Sequence, residues 1–403
     1  MRFTVTGSIN TTGSATTDAN GQATFCYTGP TAPGADAITA YADTDNDNVQ
    51  DAGEPTGAAA KTWVAGAPAT LTLAPAAANN PVTTQHCVTA TVRDAFTNPT
   101  PGITVRFGVA GAVMTSGSAT TNASGQATFC YTGPQLVGAD AITAYADTDN
   151  DNTQDAGEPT GAAAKTWVAG APATLVLTPA TDSNPVDAQH CVTATVKDAF
   201  GNPTPGVAVR FKVTGSVTTT GSATTNASGQ ATFCYTGPAL PGSDAITAYA
   251  DTNNNNVQDT GEPSGAATKA WVLPVTTPLC QITITKGGRI TADNGDKATF
   301  GGNAKSSATG ATQGQEEYQD HGPVQPLNVK AISVLAIVCQ GSTQASIYGQ
   351  AKINGSGSFF YRINVKDLAE PGVGIDTYWI LLQTGYNSGE HILQGGNIQI
   401  RRQ

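Results

Sequence analysis

"CVTATVRDAFTNPTPGITVRFGVA", residues 87–110, decides the fold. Val88, Ala90 and Val92 alternate with Cys87, Thr89 and Thr91, the period-two pattern of a strand with one buried face. "NPTPG" then supplies turn chemistry, and Ile103 to Ala110 resume in β-branched and aromatic residues. Working outward, "ATLTLAP", "GSATT", "GQATFCYTG", "DAITAYAD" and "AAKTWVAG" read as further short strands, and no stretch reads as an amphipathic helix. About seven strands per unit at roughly 8–15-residue spacing predict an all-β, antiparallel sandwich.

The unit recurs. "GSATT", a short turn and "GQATFCYTGP" occupy 13–30, 117–134 and 221–238, and "DAITAYAD" ends at Asp43, Asp147 and Asp251. Cys26, Cys130 and Cys234 fix a period of 104, which is domain-sized and too long for a solenoid repeat. The expected domains are a truncated repeat at 1–65, full repeats at 66–169 and 170–273, and a β-rich C-terminal domain at 279–403 beyond the proline-marked linker "LPVTTPLC".

"TVRDAFTNPTPGITVRF" followed by "TTNASGQATFCYTG" resembles the bacterial immunoglobulin-like domains of invasin and intimin type, over about residues 1–272. The resemblance implies tandem immunoglobulin-like β-sandwiches in an exported surface protein. In the last segment, "YQDHGP", "GSGSFFYRINVKDLAEPGVGIDTYWI" and "GGNIQI" resemble the small post-choice-of-anchor β domain that ends some secreted bacterial proteins.

Seven cysteines are an odd number for such a protein. Cys87 and Cys130 are 43 apart, as are Cys191 and Cys234, giving one pair per repeat, and Cys280 and Cys339 form a third. Cys26 stands at the second-cysteine position with its partner off the front of the chain. "MRFTVTGS" aligns with "VRFGVAGA" from Val105, so the reading frame is expected to start inside a longer gene, with the export signal upstream. Strand parity points each cysteine away from the core, which predicts a disulfide across neighbouring strands on the outer face. His86 and His190 fall on the opposite face, where packing is expected rather than metal binding.

The net charge of −11 is unevenly spread. Much of it sits in "DTDNDNVQDAGEP" at 43–55 and its counterparts at 147–159 and 251–263, an arrangement that argues against nucleic acid and points to cations. With Asp43 as position 1, Asp45, Asp47, Asp51 and Glu54 fall at 3, 5, 9 and 12, and the Val49 carbonyl stands at 7. That is the oxygen-ligand spacing of a twelve-residue calcium loop. The second copy offers Asp147, Asp149, Asp151, Thr153, Asp155 and Glu158, and the third Asp251, Asn253, Asn255, Val257, Asp259 and Glu262. Structural Ca2+ is therefore expected, more weakly in the third copy, where two carboxylates have become carboxamides. Asn48 and Asn152 replace the usual Gly at position 6, tolerating a left-handed backbone. The strand count puts each loop at the pole where the chain enters its repeat.

Catalytic signals are thin, and no enzyme is expected in these residues. Asp320 and His321 are adjacent but in a turn, and no serine-nucleophile motif, CxxC zinc pattern or phosphate loop occurs. Lys61, Lys165 and Lys269 recur before the last strand, a position compatible with Lys–Asn isopeptide bonds. Phe359, Phe360, Tyr361, Tyr378 and Trp379 could form a sugar platform, although a core role fits them better. No run of eighteen apolar residues spans a membrane. The expected function is an extracellular structural stalk or adhesin at the cell surface, with a protein or carbohydrate ligand. The alternative is a spacer and binding tail for a secreted hydrolase whose catalytic domain lies upstream.

Overall fold

The structure, a computed structural model, describes residues 1–275 and 280–402. The expected linker 273–280 is thus only partly described, and the domain start at 279 lies outside the described residues. The chain divides into two compact units, Met1–Gly170 with Phe200–Asn202, and Ala171–Ala199 with the described chain from Pro203 onward.

The second repeat is a sandwich of two sheets. Pro68–Ala74, Gln85–Asp94 and Gln126–Thr132 form a three-stranded antiparallel sheet with Gln85–Asp94 in the middle. The facing sheet runs in the order Ala77–Pro81, Thr160–Val168, Gly138–Asp147, Thr104–Gly111, Thr115–Thr120. Between them lie Val88, Val92, Val105, Phe107, Ile142 and Trp167, all buried. These are the inward-parity residues of the sequence pattern, and burying each contributes about 1.5–3 kcal/mol. The third repeat rebuilds both sheets with the same strand order.

Ala77–Pro81 was not anticipated. It follows "ATLTLAP", changes sheet, and runs parallel to Thr160–Val168, pairing Ala77 with Ala164 and Pro81 with Val168. Pro75 has no N–H with which to continue the first ladder, so the chain leaves it there. "AANNP" lacks alternating apolar residues, so its strand character comes from its neighbour and not from its own pattern.

In the first repeat only the larger sheet is present, in the order Thr11–Ser14, Arg2–Gly7, Gly34–Tyr41, Thr56–Trp63. "GQATFCYTG" at 21–29 forms no strand there, although the same residues do at 126–132. A strand is defined by its ladder, and the counterpart of Gln85–Asp94 is not in the chain.

Cys87 and Cys130 are register partners on adjoining strands, with Cα atoms 4.0 Å apart and both side chains exposed. Cys191 and Cys234 repeat the arrangement. Each bond is a clasp on the outer face of one sheet, as parity predicts. Closing a loop of that length is worth about 4 kcal/mol in the chain-entropy model. Cys280 pairs with Cys339, and Cys26 is free and exposed.

The C-terminal domain is one nine-stranded sheet. Ile284, Ile290, Tyr318, Ile347, Tyr361 and Tyr378 fill its core. Within it, Lys286 donates to Glu316 at 2.6 Å, and burial lowers the lysine pKa while raising that of the glutamate. Tyr361 and Tyr378 take the core role expected for them. Among the described residues no helix is long and apolar enough to cross a membrane.

Thiol counting on denatured, unreduced protein should find one free thiol per chain, that of Cys26. Five or seven would break the pairing scheme. Replacing Cys191 and Cys234 together by Ser should lower stability by about 2–4 kcal/mol in denaturant unfolding.

Candidate cation site

The second and third acidic loops spring from the last residue of a central strand, and the first begins two residues beyond the end of Gly34–Tyr41. Asp147 ends Gly138–Asp147 with its side chain fully buried. Its Oδ2 accepts from Arg106 Nε at 2.8 Å and from the Asn152 backbone at 3.3 Å, while its Oδ1 is buried with no hydrogen-bond partner. Asp43 repeats this in the first repeat: Arg2 Nε donates to Oδ2 at 2.8 Å, and Oδ1 is again buried and unpartnered. The Arg2 hydrogen bond holds the Asp43 carboxyl below its ordinary pKa despite burial.

The loop gathers its acids into two triads. Ligand atoms of Asp147, Asp149 and Glu158 lie within 4.8 Å of one another, and so do those of Asp149, Asp151 and Asp155. Asp43, Asp45 and Glu54 form one such triad in the first repeat, and Asp45, Asp47 and Asp51 the other. Positions 1, 3 and 12 therefore converge, positions 3, 5 and 9 converge beside them, and position 3 belongs to both. At position 7 the backbone N–H is engaged within the loop. Val49, Thr153 and Val257 donate their backbone N–H to the position-5 side chain, each at 2.7 Å. Glu158 ties the loop's ends, accepting from Thr148 N at 2.6 Å and Asp155 N at 3.1 Å. Asn48 and Asn152, at position 6, are left-handed with φ of 69°.

The charges are poorly compensated. Repulsion, first from Asp47 and Asp151 respectively, raises the pKa of Asp51 and Asp155. The Thr153 hydroxyl, by contrast, lowers that of Asp151. A divalent ion would relieve this repulsion, and carboxylates and carbonyls are the donor set that hard cations take.

The third loop is tied by its own carboxamides. Asn253 and Asn255 each donate a carboxamide N–H to Asp259 Oδ2 at 2.7 Å, and the Asn255 backbone donates to Asp251 Oδ1 at 3.1 Å. The buried oxygen left unpartnered in the first two loops is thus satisfied here by the protein.

The loop also sits where the strand count put it. Asp149, Asp155 and Glu158 share a groove with Ala67 and Pro68, the residues by which the chain enters the second repeat. Beside that entry, Asp94 accepts from Gly66 N at 2.8 Å, from Phe96 N and Asn98 N at 2.9 Å, and from Asn98 Nδ2. Asn98 also donates to Thr31 O of the first repeat at 2.6 Å. The hub was invisible in sequence because "RDAF" reads as an ordinary strand end. Its signal is a lone Asp, at 94, directly before a turn.

Other candidates resolve into structure. His86 packs edge-on against Tyr131 at 5.8 Å, and burial lowers its pKa. Lys165 donates to Thr166 O at 2.9 Å with its ammonium 4.2 Å from the Trp167 ring centre, and Lys269 pairs with Asp182 at 2.7 Å. Their hydrogen bonds go to carbonyls and an Asp. Asp320 accepts from Tyr386 at 2.7 Å while His321 contacts Thr299, so the two do not act on each other.

Residues 177–261 match the family model of the bacterial Ig-like domain, group 1. The third repeat is a bacterial Ig-like domain. The second repeat has its sheets and register, so the Ig-like domains stand in tandem. No curated protein matches the chain. Similar solved structures include the Escherichia coli adhesin FdeC, 18% identical over 83% of this chain and 98% of that one, with a TM-score of 0.38. Yersinia pseudotuberculosis InvD is 18% identical over 79% and 98%, TM-score 0.32. Invasin, a bacterial integrin-binding protein, is 16% identical over 78% and 67%, TM-score 0.26.

Asp94 leads us to expect acid sensitivity in the second repeat. Its hydrogen bonds, led by that of Asn98, lower its folded pKa to about 2, against about 3.9 unfolded. A depressed carboxylate stabilises above its unfolded pKa and loses that contribution as pH falls through the folded one. Wild type should therefore melt higher than Asp94→Asn above about pH 4, and the gap should close toward about pH 2. A gap that does not depend on pH would contradict the assignment.

Proposed function

We propose that the chain is the stalk of an extracellular, adhesin-type surface protein whose Ig-like domains are stiffened by calcium at the first two acidic loops. The observation that carries the reading is the buried, unpartnered Oδ1 of Asp43 and of Asp147, two residues that each belong to a carboxylate triad. Leaving such an oxygen unsatisfied is costly, and the third loop, which has lost two charges, supplies it with a donor. An ion at the loop would fasten a strand end beside the entry segment and limit bending where the chain passes between repeats. The outer-face disulfides fit an oxidising compartment. On this reading the nine-stranded domain is the terminal module suggested by its resemblance to the post-choice-of-anchor β domain, and the stalk presents a site for a protein or carbohydrate on another surface.

Calcium that binds only the folded state must raise its stability, by about 2.7 kcal/mol at a hundredfold excess over Kd. Melting in millimolar calcium should exceed melting in EDTA by several degrees, and Asp149→Ala with Asp151→Ala should remove the second repeat's share. Titration calorimetry should count two ions per chain. No saturable binding up to about 10 mM, beyond the range of extracellular modules, would sink the calcium reading.

A further inference from the structure

The C-terminal domain buries an amine against a carboxyl group in its apolar core. Lys286, Gly302 and Glu316 form one cross-strand row on Ile282–Thr291, Lys297–Ser306 and Thr312–Asp320. Both side chains lie on the inner face of the sheet, the face of Ile284, Ile290 and Tyr318, and the lysine's is 0% exposed and the glutamate's 4%. The Lys286 amine is 2.6 Å from one Glu316 oxygen and 2.5 Å from the other. Gly302 makes the contact possible. A Cβ at that position would stand 2.6 Å from Glu316 Oε2.

The pair lacks what keeps a buried ion pair charged. Such a pair repays its loss of hydration only when further hydrogen bonds satisfy the remaining oxygens. Among the described residues Glu316 Oε2 has no hydrogen-bond partner, and neither has the buried hydroxyl of Tyr378, whose pKa the Glu316 charge helps to raise. Asp376, in the same domain, shows the alternative: its carboxylate accepts from the N–H groups of Leu368, Ala369 and Ile398. Burial drives Lys286 and Glu316 the other way, toward amine and carboxylic acid. Those are the forms that condense.

We propose that Lys286 and Glu316 are joined by an isopeptide bond that forms within the folded domain. The Nζ lone pair attacks Glu316 Cδ and an N–C bond forms. The Cδ–OH bond then breaks, and the hydroxyl leaves as water with a proton from the amine. The step is redox-neutral and needs no co-reactant. The Tyr378 hydroxyl, without a partner of its own, is the donor available to the oxygen that gains charge in the tetrahedral intermediate. Fixed contact raises the effective concentration of the two groups to about 10⁵ M or more. The product also replaces two desolvated charges by a neutral amide. The bond ties Ile282–Thr291 to Thr312–Asp320 over the strand between them, and it rests on neither the calcium nor the adhesin reading.

Intact mass of the full chain, denatured and reduced, tests the proposal. Wild type should fall short of its sequence mass by one water. Trypsin does not cut after an acylated lysine, so the digest should contain residues 270–289 joined to 306–330, with fragment ions placing the branch at Lys286 and Glu316. Lys286→Arg keeps the charge but has no amine to acylate, and it should show its full sequence mass and a free 306–330 peptide. The wild-type measurement stands whether or not that variant folds. The full sequence mass in folded wild type, or a water lost at any other residue, would overturn the proposal and leave the pair as a buried salt bridge.

Discussion

A buried carboxylate holds each Ig-like domain together. Asp140 accepts from the Trp167 indole at 2.6 Å, from Val113 N at 2.8 Å and from the Tyr131 hydroxyl at 3.2 Å. Tyr131 belongs to one sheet and Trp167 to the other, so the carboxylate pins the sheets across the core. With aromatics at only 6% of the chain, these rings make up much of the core's large apolar surface, and their polar ends need an acceptor inside. Burying the charge is tolerable because three donors meet it. The tyrosine responds accordingly: burial, then the Asp140 charge, raises its pKa. The first repeat isolates the effect. Residues 21–29 form no strand there, yet the Tyr27 hydroxyl still donates to Asp36 at 3.3 Å and the Trp63 indole to the same carboxylate at 2.6 Å. The pin is retained where the ladder is not.

The same strand carries the opposite solution at its end. Asp140 and Asp147 are seven residues apart and therefore face opposite sides of the sheet. Asp140 faces in, among neutral donors. Asp147 faces out and is buried only because Arg106 and the loop cover it. One guanidinium balances one carboxylate, whereas the loop adds Asp149, Asp151, Asp155 and Glu158. That surplus leaves the loop's carboxylates repelling one another, and its reduction at Asn253 and Asn255 lets the third loop close on its own amides.

Much of this was legible in sequence because its signals are local. Alternation in "CVTATV" and "ATFCYT" gave the inward faces and hence the outward cysteines, and acid spacing gave loops that the structure folds into carboxylate triads. Ala77–Pro81 escaped because its strand character lies in its partner, and the role of Asp140 because a lone Asp in "DAITAYAD" does not announce the Trp and Tyr that meet it from 27 and 9 residues away. The N–H groups by which the position-7 residues meet the position-5 side chains escaped, because residue type does not encode backbone orientation.

Near-identity between repeats turns their differences into evidence. Lys165 is buried and makes no ion pair among the described residues: burial lowers its pKa, the charge of its cross-strand neighbour Asp140 opposes that shift, and carbonyl oxygens and the Trp167 face hold the ammonium. Lys269 occupies the same position one period later, and there Asp182 meets it at 2.7 Å while also touching His190 at 3.2 Å. One buried amine is thus stabilised by dipoles and a ring in one domain and by a countercharge in the next. The choice follows the neighbour. Asp187, the other acid particular to the third repeat, pairs with Arg362 of the C-terminal domain, a guanidinium set over the rings of Tyr348 at 5.3 Å and Trp379 at 5.5 Å. The second repeat has Thr83 at that position. A charge at 187 is useful only where an arginine is waiting, so the third repeat's divergence from the second records what it touches rather than how it folds.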